Sequence, residues 1–104
     1  MKTPRSGLAA IVLLSAALHS LSCGGALYAL QVNSAASKVA QAKELGADKL
    51  APYEYYYASE HLKQAQSEAS EGDYSDAKDF ADIAEEYADK AIKLSKEAHR
   101  GAGR

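Results

Sequence analysis

A single cysteine, Cys23, is all the thiol chemistry in this sequence. One cysteine forms no intrachain disulfide, so an oxidising compartment adds no covalent staple to the fold. His61 and His99, the histidines outside the N-terminal segment, have no His-Glu-x-x-His run or related ligand spacing around them. No metal site is therefore expected. There is no Gly-rich phosphate loop and no nucleophile set beside a base, so neither an enzyme nor a cofactor is expected. A basic stripe is missing as well. Twelve Lys+Arg stand against 14 Asp+Glu with interspersed signs, for a net charge of −2, which argues against a nucleic-acid partner. Large apolar side chains are scarce too. A single Phe and few large aliphatics in 104 residues promise one small domain with a thin core, marginal without a partner or self-association.

Charge is absent altogether between Arg5 and Lys38. Lys2 and Arg5 precede an apolar run from Leu8 to Leu18, and small residues follow. That order is the order of an export signal. A buried core helix does not suit Leu8 to Leu18, which has no polar face to turn to water. The residues Ser20, Leu21, Ser22 and Cys23 resemble a bacterial lipobox, in which the thiol takes a diacylglycerol and cleavage falls just before the cysteine. Ser22 suits the position before the cut. Ser20 stands where the usual Leu is expected, and Leu21 is one place nearer the cysteine. Gly24 after the cysteine, rather than Asp, resembles lipoproteins sent on to the outer membrane. Two other readings stay open. Ser20-x-Ser22 also fits ordinary signal peptidase, which would release a soluble periplasmic protein. The stretch from Gly7 to Val32 also exceeds the roughly 20 residues that span a bilayer. In each case the body lies outside the cytoplasm, because Lys2 and Arg5 stay inside. Removing residues 1–22 takes away those two cations and moves the net charge from −2 to −4.

The expected organisation is a signal peptide over 1–22, a lipidated Cys23 with a tether over 23–33, an α-helical domain over 34–100 and a flexible tail over 101–104. Within the domain, Ala35, Val39, Ala42 and Gly46 step by four, three and four, predicting a first helix over Ser34 to Leu45. Gly46 is its stop, and Pro52 suits the first turn of the next helix. That second helix runs from Pro52 to Glu71 on a stripe of Tyr55, Ala58, Leu62, Ala65 and Ala69. Gly72 closes it, and Asp73 caps the third helix by accepting backbone N–H bonds. From there Ala77, Ala81, Ala84, Ala88, Ala91, Ser95 and Ala98 repeat at steps of four and three, flanked by Phe80, Tyr87 and Leu94. About 25 residues at 1.5 Å per residue predict a rod near 38 Å long. Glu86 with Lys90 and Asp89 with Lys93 are acid-before-base pairs at i, i+4. The fold class expected is all-α: an antiparallel hairpin of Ala-rich, coiled-coil-like helices with an additional N-terminal helix.

"GDYSDAKDFADIA" resembles the second half of a tetratricopeptide unit through Gly72, Asp73, Tyr74, Ala77 and Ala84. The first half departs, with His61, Gln64 and Ala65 at the aromatic and Leu-Gly positions. One unit alone does not make an array. A longer likeness covers Ala35 to Ala98. Gly46, Ala47, Ala51, Pro52, Tyr53, Glu54, Leu62, Ala65 and Gly72 to Tyr74 resemble the pattern of the bacterial envelope family known as domain of unknown function 4398. That resemblance implies residence in the cell envelope and supplies no catalytic residues.

"YEYYY" sets Tyr53, Tyr55, Tyr56 and Tyr57 together. On a helix Tyr53, Tyr56 and Tyr57 share a face and Tyr55 points elsewhere. Some of these rings are expected to cover the end of the hairpin against the first helix. The others are candidates for a recognition patch, since tyrosine joins a large apolar body to a polar tip. His61 and His99 are expected as solvated surface residues. The functional expectation is a non-enzymatic adaptor or structural lipoprotein on the periplasmic face of the outer membrane. Its partners would be the membrane, through a lipid or an N-terminal helix, and an envelope protein or a second copy. One alternative resembles the Braun-type coiled-coil spacer, against which count the break at Gly46–Pro52 and the lack of a terminal lysine. The other is a soluble periplasmic binding module for an apolar or glycan ligand.

Overall fold

A computed structural model describes residues 25–103. The expected signal over 1–22, Cys23 and Gly24 lie outside the described residues. Four helices follow in order: α1 Gly25–Glu44, α2 Ala47–Leu50, α3 Pro52–Ser70 and α4 Tyr74–Ala102. Among the described residues there is no strand, and the fold is all-α as the spacing predicts. α3 and α4 form an antiparallel hairpin. α1 lies along α4 in the same direction. At one end Tyr28 meets Tyr74 with ring centroids 5.5 Å apart, and at the other His99 Nε2 lies 2.8 Å from the carbonyl oxygen of Leu45.

The turns are where the sequence puts them. Gly72 takes φ 84° after α3, and the Asp73 N–H returns to the Glu68 carbonyl at 2.9 Å. That left-handed close satisfies carbonyls the helix end leaves free. Asp73 then accepts the Asp76 N–H at 3.3 Å and caps α4. Gly46, at φ 79°, ends α1 and starts α2. Pro52 opens α3.

The core is alanine. Ala77, Ala81, Ala84, Ala88, Ala91, Ile92 and Ser95 form the buried face of α4. One cluster joins Val32, Ala35, Ala65, Ala81 and Ala84, with Tyr28, Leu62 and Phe80 packed at its edge. The other joins Ala42, Ala47, Ala51, Ala91 and Ile92, edged by Leu45 and Tyr55. Methyl side chains let helix axes approach closely, yet each removes little area from water at about 25 cal/mol per Å².

Several expectations need correction. α1 begins at Gly25, and residues 27–33, expected as tether, are helical. Tyr28 and Val32 continue the stripe of Ala35 and Ala42 onto α4. The linker after Gly46 contains the one-turn α2, because Ala47 and Ala51 seat on Ala91 and Ile92. α4 continues through Gly101 and Ala102, expected as tail. Ile92, not Leu94, supplies the large buried side chain near its end; Leu94 is 39% exposed. Asp89 pairs with Lys38 of α1 at 2.7 Å instead of Lys93, and Lys38 also holds Glu85 at 2.8 Å. Hydrogen bonds that the Lys38 ammonium donates to Asp89 first and Glu85 second hold it above its ordinary pKa. The Glu86–Lys90 pair forms as expected, at 2.7 Å.

Candidate functional site

α3 carries two parallel ridges of side chains at i, i+4 spacing. Tyr53, Tyr57 and His61 make the ridge that leans on α4. Their rings pack in sequence: Tyr53 on Tyr57 at 5.7 Å, Tyr57 on His61 at 4.2 Å, and His61 toward Phe80 of α4 at 6.0 Å. Tyr87 of α4 backs the same row, 4.3 Å from Tyr57 and 6.3 Å from Tyr53. Pro52, Tyr56 and Glu60 make the outer ridge. Between the two runs a groove of about 560 Å³, open to solvent and almost entirely apolar in the surface it presents. Tyr53 and Tyr56 are 64% and 55% exposed on it.

This arrangement separates the four tyrosines as the helical spacing predicts. Tyr53, Tyr56 and Tyr57 line the groove, while Tyr55 packs inward on the cluster of Ala42, Ala47, Ala51, Ala91 and Ile92. Tyr55 therefore covers the α1–α2 corner and leaves the candidate recognition surface to the other three. His61, expected as a solvated residue, is half-buried. Its Nδ1 lies 2.9 Å from the Tyr57 carbonyl, which only accepts, so Nδ1 carries the hydrogen. His99 is likewise engaged, its Nε2–H donating to the Leu45 carbonyl at the end of α1. Pro52, Glu60 and His61 are the lining residues that the sequence reading did not place in the recognition patch; for His61 and Glu60, their positions four residues beyond Tyr57 and Tyr56 were the available signal.

The electrostatics of the groove are one-sided. Glu60 brings a carboxylate to its rim, paired with Lys63 at 2.8 Å across an exposed i, i+3 step. None of the six lining residues is a lysine or arginine. The Lys90 ammonium sits 4.2 Å from the centroid of the Tyr87 ring, which packs on Tyr53 and Tyr57.

At the far end of the hairpin, Gly72, Asp73 and Tyr74 form the turn already described. Glu68, Asp73 and Asp76 bring carboxylate oxygens within 4.8 Å of one another there, a grouping the sequence reading did not single out. Asp73 is already used as the helix cap. Desolvation, and then the charges of Glu71, Asp73 and Asp76, raise the Glu68 carboxyl above its ordinary pKa. These features are those of an acidic turn. Among the described residues no helix is long and apolar enough to cross a membrane.

A family model described as "Domain of unknown function (DUF4398)" matches residues 30–101 of the chain. That match takes in α2, α3, nearly all of α4 and the part of α1 from Leu30 onward, so the chain belongs to this family. No curated protein and no solved structure matches it.

Proposed function

We propose that this member of the DUF4398 family is a small lipoprotein of the bacterial cell envelope, acylated at Cys23, that works as a non-enzymatic adaptor. The observation that carries the adaptor reading is the apolar groove between the Tyr53–Tyr57–His61 and Pro52–Tyr56–Glu60 ridges. Large aromatic side chains held in solvent on a rigid helix are the kind of surface that protein interfaces favour. The anchoring half rests on the sequence: a basic start, an apolar run, and a lone cysteine followed by glycine. A lipid at Cys23 would confine the helices to the periplasmic face of the outer membrane and raise their effective concentration toward a partner in that layer. The left-handed turn at Gly46 and the short α2 interrupt the rod, which favours an adaptor over a continuous coiled-coil spacer.

Two measurements test the two halves. The intact mass of membrane-extracted protein should correspond to a chain starting at residue 23 with added acyl mass, and the Cys23→Ala variant should lack it. An unmodified full-length mass would defeat the lipoprotein reading. A photo-crosslinking residue at position 56 should capture an envelope protein in cells where the same residue at position 63 does not. Equal capture at both positions would defeat the adaptor reading.

A further inference from the structure

The chemistry of the groove specifies what it holds. Resting on the adaptor reading, we propose that the Pro52–His61 groove binds a partner-protein segment carrying an arginine or lysine flanked by apolar side chains. Three observations converge on it. First, the lining is aromatic faces with a single carboxylate. Tyr53, Tyr56 and Tyr57 present rings, Glu60 presents charge, and no cation competes within the groove. Aromatic faces attract cations through the ring quadrupole, and a carboxylate at the rim adds to that attraction.

Second, the same aromatic cluster already receives an ammonium. Lys90 lies over Tyr87 while paired with Glu86 at 2.7 Å, and Tyr87 packs directly on Tyr53 and Tyr57. Ring plus carboxylate holding a cation is thus an arrangement this chain already uses at Tyr87, on the α4 side of the ridge. The outer side offers Tyr56 and Glu60 with no internal cation over the rings. Lys63, which pairs with Glu60, stands outside the groove, and an exposed pair of this kind yields readily to a better partner.

Third, charge and size agree. Glu60 is the charged side chain on the lining, with no lysine or arginine there, so an approaching basic segment is attracted and an acidic one repelled. A volume of about 560 Å³ admits a guanidinium with one or two apolar neighbours. A sugar needs many hydrogen bonds, and this surface has few polar atoms to give. An anion finds no positive charge.

The test uses the full chain with 13C-labelled tyrosine in detergent micelles. The probes are acetyl-Leu-Arg-Leu-amide and its neutral isostere with citrulline in place of arginine. The arginine peptide should shift the ring resonances of Tyr53, Tyr56 and Tyr57 saturably and leave Tyr74 unmoved. The citrulline peptide should bind about fivefold more weakly, the scale of one exposed cation–π contact. Glu60→Gln should weaken the arginine peptide while leaving the citrulline peptide unchanged. Tyr56→Leu, a substitution in an exposed ring that leaves the core intact, should weaken the arginine peptide more than the citrulline one. Equal affinity for the two peptides overturns the cation assignment, while capture of a protein through position 56 would still stand. Absence of ring shifts with either peptide overturns it, as does a shift with N,N′-diacetylchitobiose alone. Ring shifts that follow protein concentration with no peptide present would assign the groove to a second copy and overturn it as well.

Discussion

Replacing Ser95 with alanine should make the protein more stable. Ser95 is fully buried on the α4 stripe, and its Oγ has no hydrogen-bond partner. Among the described residues it is also the largest side chain that is fully buried. A hydroxyl taken out of water with nothing to bond to costs about 1–3 kcal/mol. Alanine removes that penalty and is the better helix former by about 0.5 kcal/mol. The lost oxygen leaves a void far smaller than a methylene, which takes back a few tenths. The expected gain is about 1.5 kcal/mol. For a helical body of this size that is roughly a 6–12 °C rise in Tm. Urea titrations followed by circular dichroism would check it, with an unchanged m-value showing that the unfolded state is not the cause. Ser95→Leu in the same assay should lose about 1–3 kcal/mol, because the tight stripe has no room for it. If Ser95→Ala were destabilising by 0.5 kcal/mol or more (about the smallest change that matters on this scale), the hydroxyl would be bonded in solution and the reasoning would fail.

Three other perturbations test the fold. Lys38→Met should lose about 1 kcal/mol, since Lys38 clasps Glu85 and Asp89 across α1 and α4. The ammonium is held above its ordinary pKa of 10.5, so this contribution is complete below that value. It is lost as pH rises through the raised one, and the gap between variant and parent in chemical melts should close there. Glu68→Gln should raise Tm at neutral pH, because desolvation first, and then the charges of Glu71, Asp73 and Asp76, push its carboxyl above the ordinary value. That advantage should vanish as acid protonates Glu68 in the parent; a pH-independent difference would contradict the charge argument. Gly46→Ala should cost about 1–2 kcal/mol from its left-handed backbone alone, since the added Cβ would meet Leu50 Cδ1 at an ordinary 3.6 Å. A neutral result in thermal melts would show that the turn relaxes.

What the sequence reveals depends on whether the signal is local. The α4 stripe is legible because it repeats over many turns of one helix, and the Gly72–Asp73 turn because its chemistry fits within a few residues. The split of Tyr53, Tyr56 and Tyr57 from Tyr55 follows from helical spacing in the same way. The single turn of α2 gives no period to read. The start of α1 is hidden because its outer face carries Leu27 and Leu30, both well exposed, so apolar residues fall all round and the stripe through Tyr28 and Val32 does not stand out. Links between distant segments are invisible to spacing: Lys38 with Asp89, Gln31 with Glu85 at 3.1 Å, and His99 with Leu45. Each needs the relative register of two helices. That register is set by alanine packing, which many alignments of the stripes would satisfy almost equally.

The distribution of large side chains connects stability to the proposed role. A chain with one Phe and seven Tyr would gain most stability by burying those rings. Among the described residues the fully buried positions are alanines and one serine. Tyr53 and Tyr56 stand in solvent, and Tyr57 and His61 are only half-covered by α4. The alanine faces explain how this is sustained. Close helix approach excludes large side chains from the centre, so the rings are displaced to the seams and outer faces. At the α3–α4 seam they stack on one another and on Tyr87, which fixes their orientation without covering them. The rings are thereby ordered before any partner arrives, and ordering them is a cost that binding need not meet again. A partner that covered the groove would bury the apolar area the thin core leaves exposed, so docking and folding would stabilise the same structure.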